Sequence, residues 1–309
     1  MKDRTIAAFF TVALLSLHAS RAQEATKPVQ GSQPVAPAKI ELKGGPVDQS
    51  KAEAVLKDSP RHGEWVDVPM AGAAKEGAGE AGAATAPIKT WVVYPERADK
   101  APVVIVIHEI FGMTEWVRAT ADQLAADGFI AIAPDLLSGK GPKGGATDSM
   151  KAEEVREAIR KLTPDEVSSR LNAVREFGLK LPSASQKVGC IGFCWGGSQS
   201  FRYACTQPKL GAAAVFYGTA PMKDSKPDTE VLSKAQCPVL GLYGGNDARV
   251  TATVAATGEA MGTLKKSFEQ ETYEGAGHGF VRQHSSPANT DAAKKAWGRT
   301  VAFLKKHLE

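Results

Sequence analysis

Residues 102–108, PVVIVIH, form an unbroken apolar run that ends in a single imidazole. A run of strand length without alternation suits a strand buried on both faces, the situation inside a parallel sheet. Residues 114–127 follow with Trp116, Ala119, Leu124 and Ala125 at helical spacing. Thr114 is placed as N-cap and Gly128 as the C-terminal stop. The alternation then continues. Strands are expected at 129–133, 187–192, 212–217, 238–243 and 267–273, and helices near 149–161, 164–179, 195–205, 251–266 and 288–308. Thr163-Pro164-Asp165-Glu166 opens the second of these helices with a cap, a proline at the first helical position and early acids. Alternating apolar strands and amphipathic helices predict an α/β domain, a mostly parallel central sheet with helices on both faces. We place it at residues 61–309.

The segments before it differ in kind. Residues 1–22 read as a signal peptide. Lys2 and Arg4 precede the short apolar run Ile6–Leu17, and Ser20-Arg21-Ala22 offers small residues before a cleavage site at Gln23. The run is too short to span a bilayer comfortably, and the alternative is an uncleaved N-terminal anchor. The mature chain is therefore expected to be exported, to the periplasm or the medium. Residues 23–60, rich in Ala, Pro, Lys and Gln, read as a flexible N-terminal tether. Residues 71–86, AGAAKEGAGEAGAATA, read as a long loop joining two neighbouring strands, 65–69 and 88–94.

Charge and cysteine usage exclude several functions. Loss of residues 1–22 lowers the formal charge from +4 to +2, too weak a balance for nucleic acid or an acidic membrane surface. Cys190, Cys194, Cys205 and Cys237 lack CxxC spacing and an accompanying His cluster, so neither a zinc site nor a dithiol redox centre is expected. Cys205 and Cys237 fall at one sheet edge, where a disulfide is geometrically possible. No cofactor is implied, and nothing specifies an oligomeric state.

The chemistry concentrates in Gly189–Gly197, GCIGFCWGG. Gly192-x-Cys194-x-Gly196 matches the G-x-S-x-G nucleophile elbow with cysteine for serine, and it stands between an expected strand and an expected helix. Such a turn is tight enough to need small residues two positions either side of a strained apex. A helix N-terminus beneath Cys194 favours thiolate. The alternative is a buried structural cysteine in a glycine-rich turn. In chain order an acid and then a histidine should follow. Asp247 ends the strand 238–243 in Gly244-Gly245-Asn246-Asp247, though capping a turn would also explain it. His278, flanked by glycines in the loop after 267–273, is the expected base. His18, His62 and His307 are misplaced, and His284 is a reserve. With this set, His278 takes the thiol proton and Asp247 orients the imidazole. Trp195 N–H supplies one oxyanion donor, and Ile110 N–H, after the first long parallel strand, the other.

These residues resemble the dienelactone hydrolases, members of the α/β-hydrolase fold, from about Trp65 to the C-terminus. The resemblance rests on His108-Glu109-Ile110-Phe111-Gly112, Ala133-Pro134-Asp135-Leu136, the cysteine elbow, Gly245-Asn246-Asp247 and Ala276-Gly277-His278-Gly279-Phe280. It implies hydrolysis of a small ester or lactone of the dienelactone (carboxymethylenebutenolidase) type. It also implies that Glu109 lies beside the resting thiol, keeps it inert, and helps draw off its proton when substrate displaces it. A helix cap near Thr114 is the other reading of Glu109. The resemblance further implies that Arg282 grips a substrate carboxylate and that Tyr217 lines the pocket. A second arginine is implied in the region after the Gly-rich loop 138–148, where Arg156 and Arg160 stand but neither aligns without a gap. Other functions compatible with the sequence are a broader carboxylesterase or thioesterase acting on neutral esters, and a non-catalytic small-molecule binder on the same fold.

Overall fold

The structure, a computed structural model, describes residues 44–70 and 86–309. The expected signal peptide, most of the tether and nearly all of the 71–86 loop lie outside these residues. The strands are β1 (Gly63–Val68), β2 (Ile88–Val93), β3 (Ala101–Ile107), β4 (Ile130–Pro134), β5 (Ala184–Phe193), β6 (Ala212–Phe216), the short pair β7 (Met222–Lys223) and β8 (Lys226–Pro227), β9 (Val239–Gly244) and β10 (Phe268–Tyr273). The helices are α1 (Ala52–Asp58), α2 (Glu115–Ala126), α3 (Ala152–Lys161), α4 (Pro164–Lys180), α5 (Trp195–Thr206), α6 (Thr229–Leu232), α7 (Ala248–Thr263) and α8 (Pro287–Leu308).

Eight strands form one sheet in the order β1-β2-β4-β3-β5-β6-β9-β10. The β1–β2 and β2–β4 pairings are antiparallel and the rest are parallel. Every residue of β3, β4, β6 and β9 is buried, as the unbroken apolar runs require. Two apolar layers sandwich the sheet. One gathers Phe193, Phe216 and Trp297 against α2 and α8; the other gathers Ile105, Ile132, Leu171 and Phe201 against α4 and α5. Burying each such side chain is worth about 1.5–3 kcal/mol. The Trp297 indole N–H is satisfied by Asp127 Oδ2 at 2.8 Å.

Local capping follows the sequence. Thr114 Oγ1 accepts from Val117 N and Thr163 Oγ1 from Glu166 N, while Gly128 takes φ +102° after α2. One expectation needs correction, and one open possibility is decided. The tether was expected to run to residue 60, yet residues 49–58 form a 3-10 turn and α1, with Ala52 fully buried and Val47, Val55 and Leu56 packed on the core. Ala52, Val55 and Leu56, at i, i+3 and i+4, dock the helix on an existing surface, which supplies the stability that so short a helix lacks alone. The possible Cys205–Cys237 disulfide is not formed: all four cysteines are free thiols, and these two are buried.

Candidate active site

The neighbouring strands β3, β5, β6, β9 and β10 bring five loops together at their C-terminal ends. The β5 loop is the elbow. Cys194 has φ +55° and ψ −117°, a sparsely populated conformation for a residue with a side chain. Its N–H donates to Phe216 O (3.0 Å), and its carbonyl accepts from Ser198 N (3.2 Å), closing the first turn of α5. The glycines are dictated by contact. A Cβ on Gly192 would lie 2.0 Å from Gly196 O, and one on Gly196 would lie 2.3 Å from the carbonyl oxygens of both Ile107 and His108. That close approach seats the post-β3 loop, with Glu109 and Ile110, against the elbow. His108 is fully buried there; its ring stacks on Trp195 (5.6 Å) and its Nε2 accepts from Leu136 N (3.2 Å).

Asp247 and His278 meet, although 31 residues separate them. Asp247 Oδ2 lies 2.5 Å from His278 Nδ1, and the aspartate is 7% exposed. Asp247 precedes α7 but makes no side-chain cap bond, so the turn-cap alternative is set aside. The β9 end passes close beneath the histidine loop: a Cβ on Gly244 would lie 2.6 Å from Gly277 O. Asn289 Oδ1 accepts from Gly277 N (2.9 Å) and Gly279 adopts φ +74°, which together shape the loop. The reserve, His284, instead gives its backbone N–H to Asp48.

Glu109 is 3% exposed and paired with Arg282, Oε2 to Nε 2.6 Å. It caps no helix, since Thr114 fills that role. Burial pushes its carboxyl up to about 7 against the pull of Arg282. The Cys194 thiol is pushed up to about 11, first by burial and then by the Glu109 charge. The Trp195 N–H, Arg249 and Arg282 act in the opposite direction and do not prevail. The expected preference for thiolate at a helix N-terminus is therefore overridden in the resting site, because the helix dipole is smaller than desolvation plus a buried like charge.

Tyr217 is buried, has φ +40°, and its ring meets His278 (5.1 Å) and Phe280 (5.4 Å) edge-on. Its hydroxyl is buried without a hydrogen-bond partner among the described residues, and the charges it feels are those of Glu109, Arg282 and Cys194. Phe111 carries two guanidinium groups, Arg282 at 4.7 Å and Arg156 at 5.7 Å from the ring centroid. Of the two arginines after the Gly-rich loop, Arg156 is thus the one brought toward Arg282, while Arg160 stays exposed on α3. Two residues near this site went unnoticed in the sequence. Arg249 lies two positions after Asp247 and acts electrostatically on the thiol; its spacing from the acid was the available signal. Gln49, 233 residues from Arg282, hydrogen-bonds its guanidinium and left no local signal.

A mostly parallel sheet covered by helices, with a nucleophile elbow at its C-terminal edge, defines an α/β-hydrolase fold. Residues 88–308 match the family model described as the dienelactone hydrolase family, and the chain belongs to that family of ester and lactone hydrolases. A Salmonella typhimurium protein assigned as a carboxymethylenebutenolidase is 30% identical over 216 residues, 68% of this chain and 79% of that protein. A Yersinia pestis protein of the same assignment is 31% identical over 212 residues, 67% of this chain and 78% of that one. The crystal structure of a protein assigned as a dienelactone hydrolase, from Klebsiella pneumoniae, superposes with a TM-score of 0.66 at 25% identity, covering 80% of this chain and 99% of that chain.

Proposed function

We propose that the chain hydrolyses a small ester or lactone bearing a carboxylate, with Cys194 as nucleophile, His278 as base and Asp247 as its orienting acid. The observation that carries this reading is the 2.5 Å Asp247–His278 contact, formed at the sheet edge where Cys194 is held at positive φ. In the resting site the thiol is protonated, and Glu109 is occupied by Arg282. A substrate carboxylate that takes Arg282 frees Glu109, whose raised pKa suits it to accept the thiol proton. The thiolate adds to the carbonyl carbon, and the oxyanion is received by the N–H groups of Trp195 and Ile110. The thiol proton passes from Glu109 to His278, the C–O bond breaks, and the resulting imidazolium protonates the departing oxygen. Water, deprotonated by His278, cleaves the acyl-cysteine and restores the thiol. Tyr217 O–H and Arg156 stand as further polar contacts for the substrate.

A second reading, turnover of neutral esters, is favoured by one observation: Arg282 is already engaged by Glu109 and Gln49. Both readings are tested by assaying an anionic dienelactone and a neutral aryl ester with the parent and Cys194→Ala. Lactone hydrolysis that vanishes in the variant supports the anionic substrate. Activity on the neutral ester alone keeps the mechanism and discards that substrate class. An active Cys194→Ala, or an inactive parent, overturns the nucleophile and leaves a binder on the same fold. We also propose export with cleavage before Gln23, supported by the charged start, short apolar run and small-residue site of residues 1–22. Its test is the N-terminal residue of the protein recovered from the periplasm or medium.

A further inference from the structure

Residues 44–58 precede the stretch that matches the family, yet they reach the loop that carries His278 and Arg282. Gln49 N–H donates to Arg282 O (2.9 Å), and Arg282 Nη1 donates to the Gln49 side-chain oxygen. Asp48 Oδ2 accepts from His284 N (2.7 Å), while its Oδ1 accepts from Ser50 N (2.9 Å) and Ser50 Oγ (2.6 Å). The segment is itself tied down. Val47 O accepts from Trp116 Nε1 (3.0 Å), Ala52 is buried, and Gly45 sits close enough to α8 that a Cβ there would lie 3.2 Å from Trp297 Cβ. Just beyond α1, Ser59 and Arg61 both bond Asp122 on α2.

This arrangement constrains the guanidinium. A carboxylate can be gripped two-pronged through the Nε–Nη2 edge or the Nη1–Nη2 edge. Glu109 faces Nε as an ion pair at 2.6 Å without hydrogen-bond alignment, and Gln49 accepts from Nη1, so each edge already includes an engaged atom. When Glu109 is displaced, the Nε–Nη2 edge is released and Gln49 still holds the far end. We infer that residues 44–58 are a strap forming part of the active-site wall. In it Gln49 and Asp48 are positioning residues that fix which edge of Arg282 a substrate carboxylate meets. The inference rests on the reading of Arg282 as the carboxylate-binding residue.

The test uses full-length Gln49→Ala and Asp48→Ala beside the parent, with the anionic lactone and the neutral ester, and follows hydrogen exchange at the His284 amide. Gln49→Ala should raise KM for the lactone about fivefold, as expected for one lost bond to a charged group near the surface, with kcat within twofold. The neutral ester should show a smaller change in kcat/KM. Asp48→Ala should speed exchange at His284 and raise KM for the lactone in the same sense. An unchanged lactone KM in both variants, or equal losses on both substrates, would overturn the strap. If the parent does not cleave the lactone, the Arg282 reading itself fails. Exchange then decides for the strap alone, faster at His284 supporting it and unchanged refuting it.

Discussion

The resting thiol should be unreactive, and Glu109 should be part of the reason. An ordinary cysteine titrates at 9.0, whereas Cys194 is held at about 11 by burial and by the Glu109 carboxylate. At pH 8 the two values correspond to roughly 9% and roughly 0.1% thiolate, so alkylation by iodoacetamide should be about a hundredfold slower than for an exposed thiol. Cys205 and Cys237 are pushed up to about 12, and Cys190 further still, so they should not contribute to the signal. Glu109→Gln deletes the second-ranked cause and leaves the first. The alkylation midpoint should therefore fall by about one unit without returning to 9, raising the rate at pH 8 about tenfold. Arg282, losing its partner, acts in the same direction. Hydrolysis of the lactone should nevertheless fall in this variant, because it removes the group proposed to accept the thiol proton. Faster alkylation with slower turnover distinguishes a gate from a general loosening of the site. The assay is a pH series of alkylation rates at Cys194, followed by peptide mass analysis. A parent midpoint at or below 9, or identical profiles for parent and variant, would refute the reasoning.

Three further outcomes are expected. Burial raises the Glu109 carboxyl from 4.5 to about 7, so the folded state holds an extra proton between those values. Its contribution to stability is full below 4.5 and declines as pH rises toward 7; the melting temperature of Glu109→Gln should vary less with pH across that window than that of the parent. Asp247→Asn should retain the fold but lower kcat by about 10³–10⁴ with little change in KM, as for other orienting acids, measured by steady-state kinetics beside circular dichroism. Gly196→Ala forces a Cβ to within 2.3 Å of two backbone carbonyl oxygens and should cost about 3 kcal/mol, the upper end for overpacking, read as a lower urea midpoint; a midpoint equal to the parent's would show that the elbow can relax.

Much of the fold and the elbow was legible because the governing interactions are local. The all-buried strand β3 appears as an unbroken apolar run, the helix starts as Thr114 and Thr163, and the tight strand-to-helix turn as glycines two residues either side of Cys194. Cys194, Asp247 and His278 follow β5, β9 and β10 in chain order, so the Asp247–His278 pair could be named from position. Whether Asp247 capped a turn or faced His278 was open along the chain, since an aspartate before a helix fits both; the packing of β9 beneath the histidine loop decided it. The Glu109–Arg282 pair was accessible only as two roles implied by resemblance, and their mutual contact needed the fold. Residues 44–58 read as tether because Ala52, Val55 and Leu56 make little more than one turn of helical period beside polar and Pro/Gly-containing neighbours. Their order comes from a docking surface made by α2, α8 and the loop around Arg282, and from bonds spanning more than two hundred residues. The protonation of Cys194 is tertiary in the same sense. The chain alone showed a thiol at a helix N-terminus, which favours thiolate; only the assembled site, with its burial and the Glu109 charge, keeps the proton on.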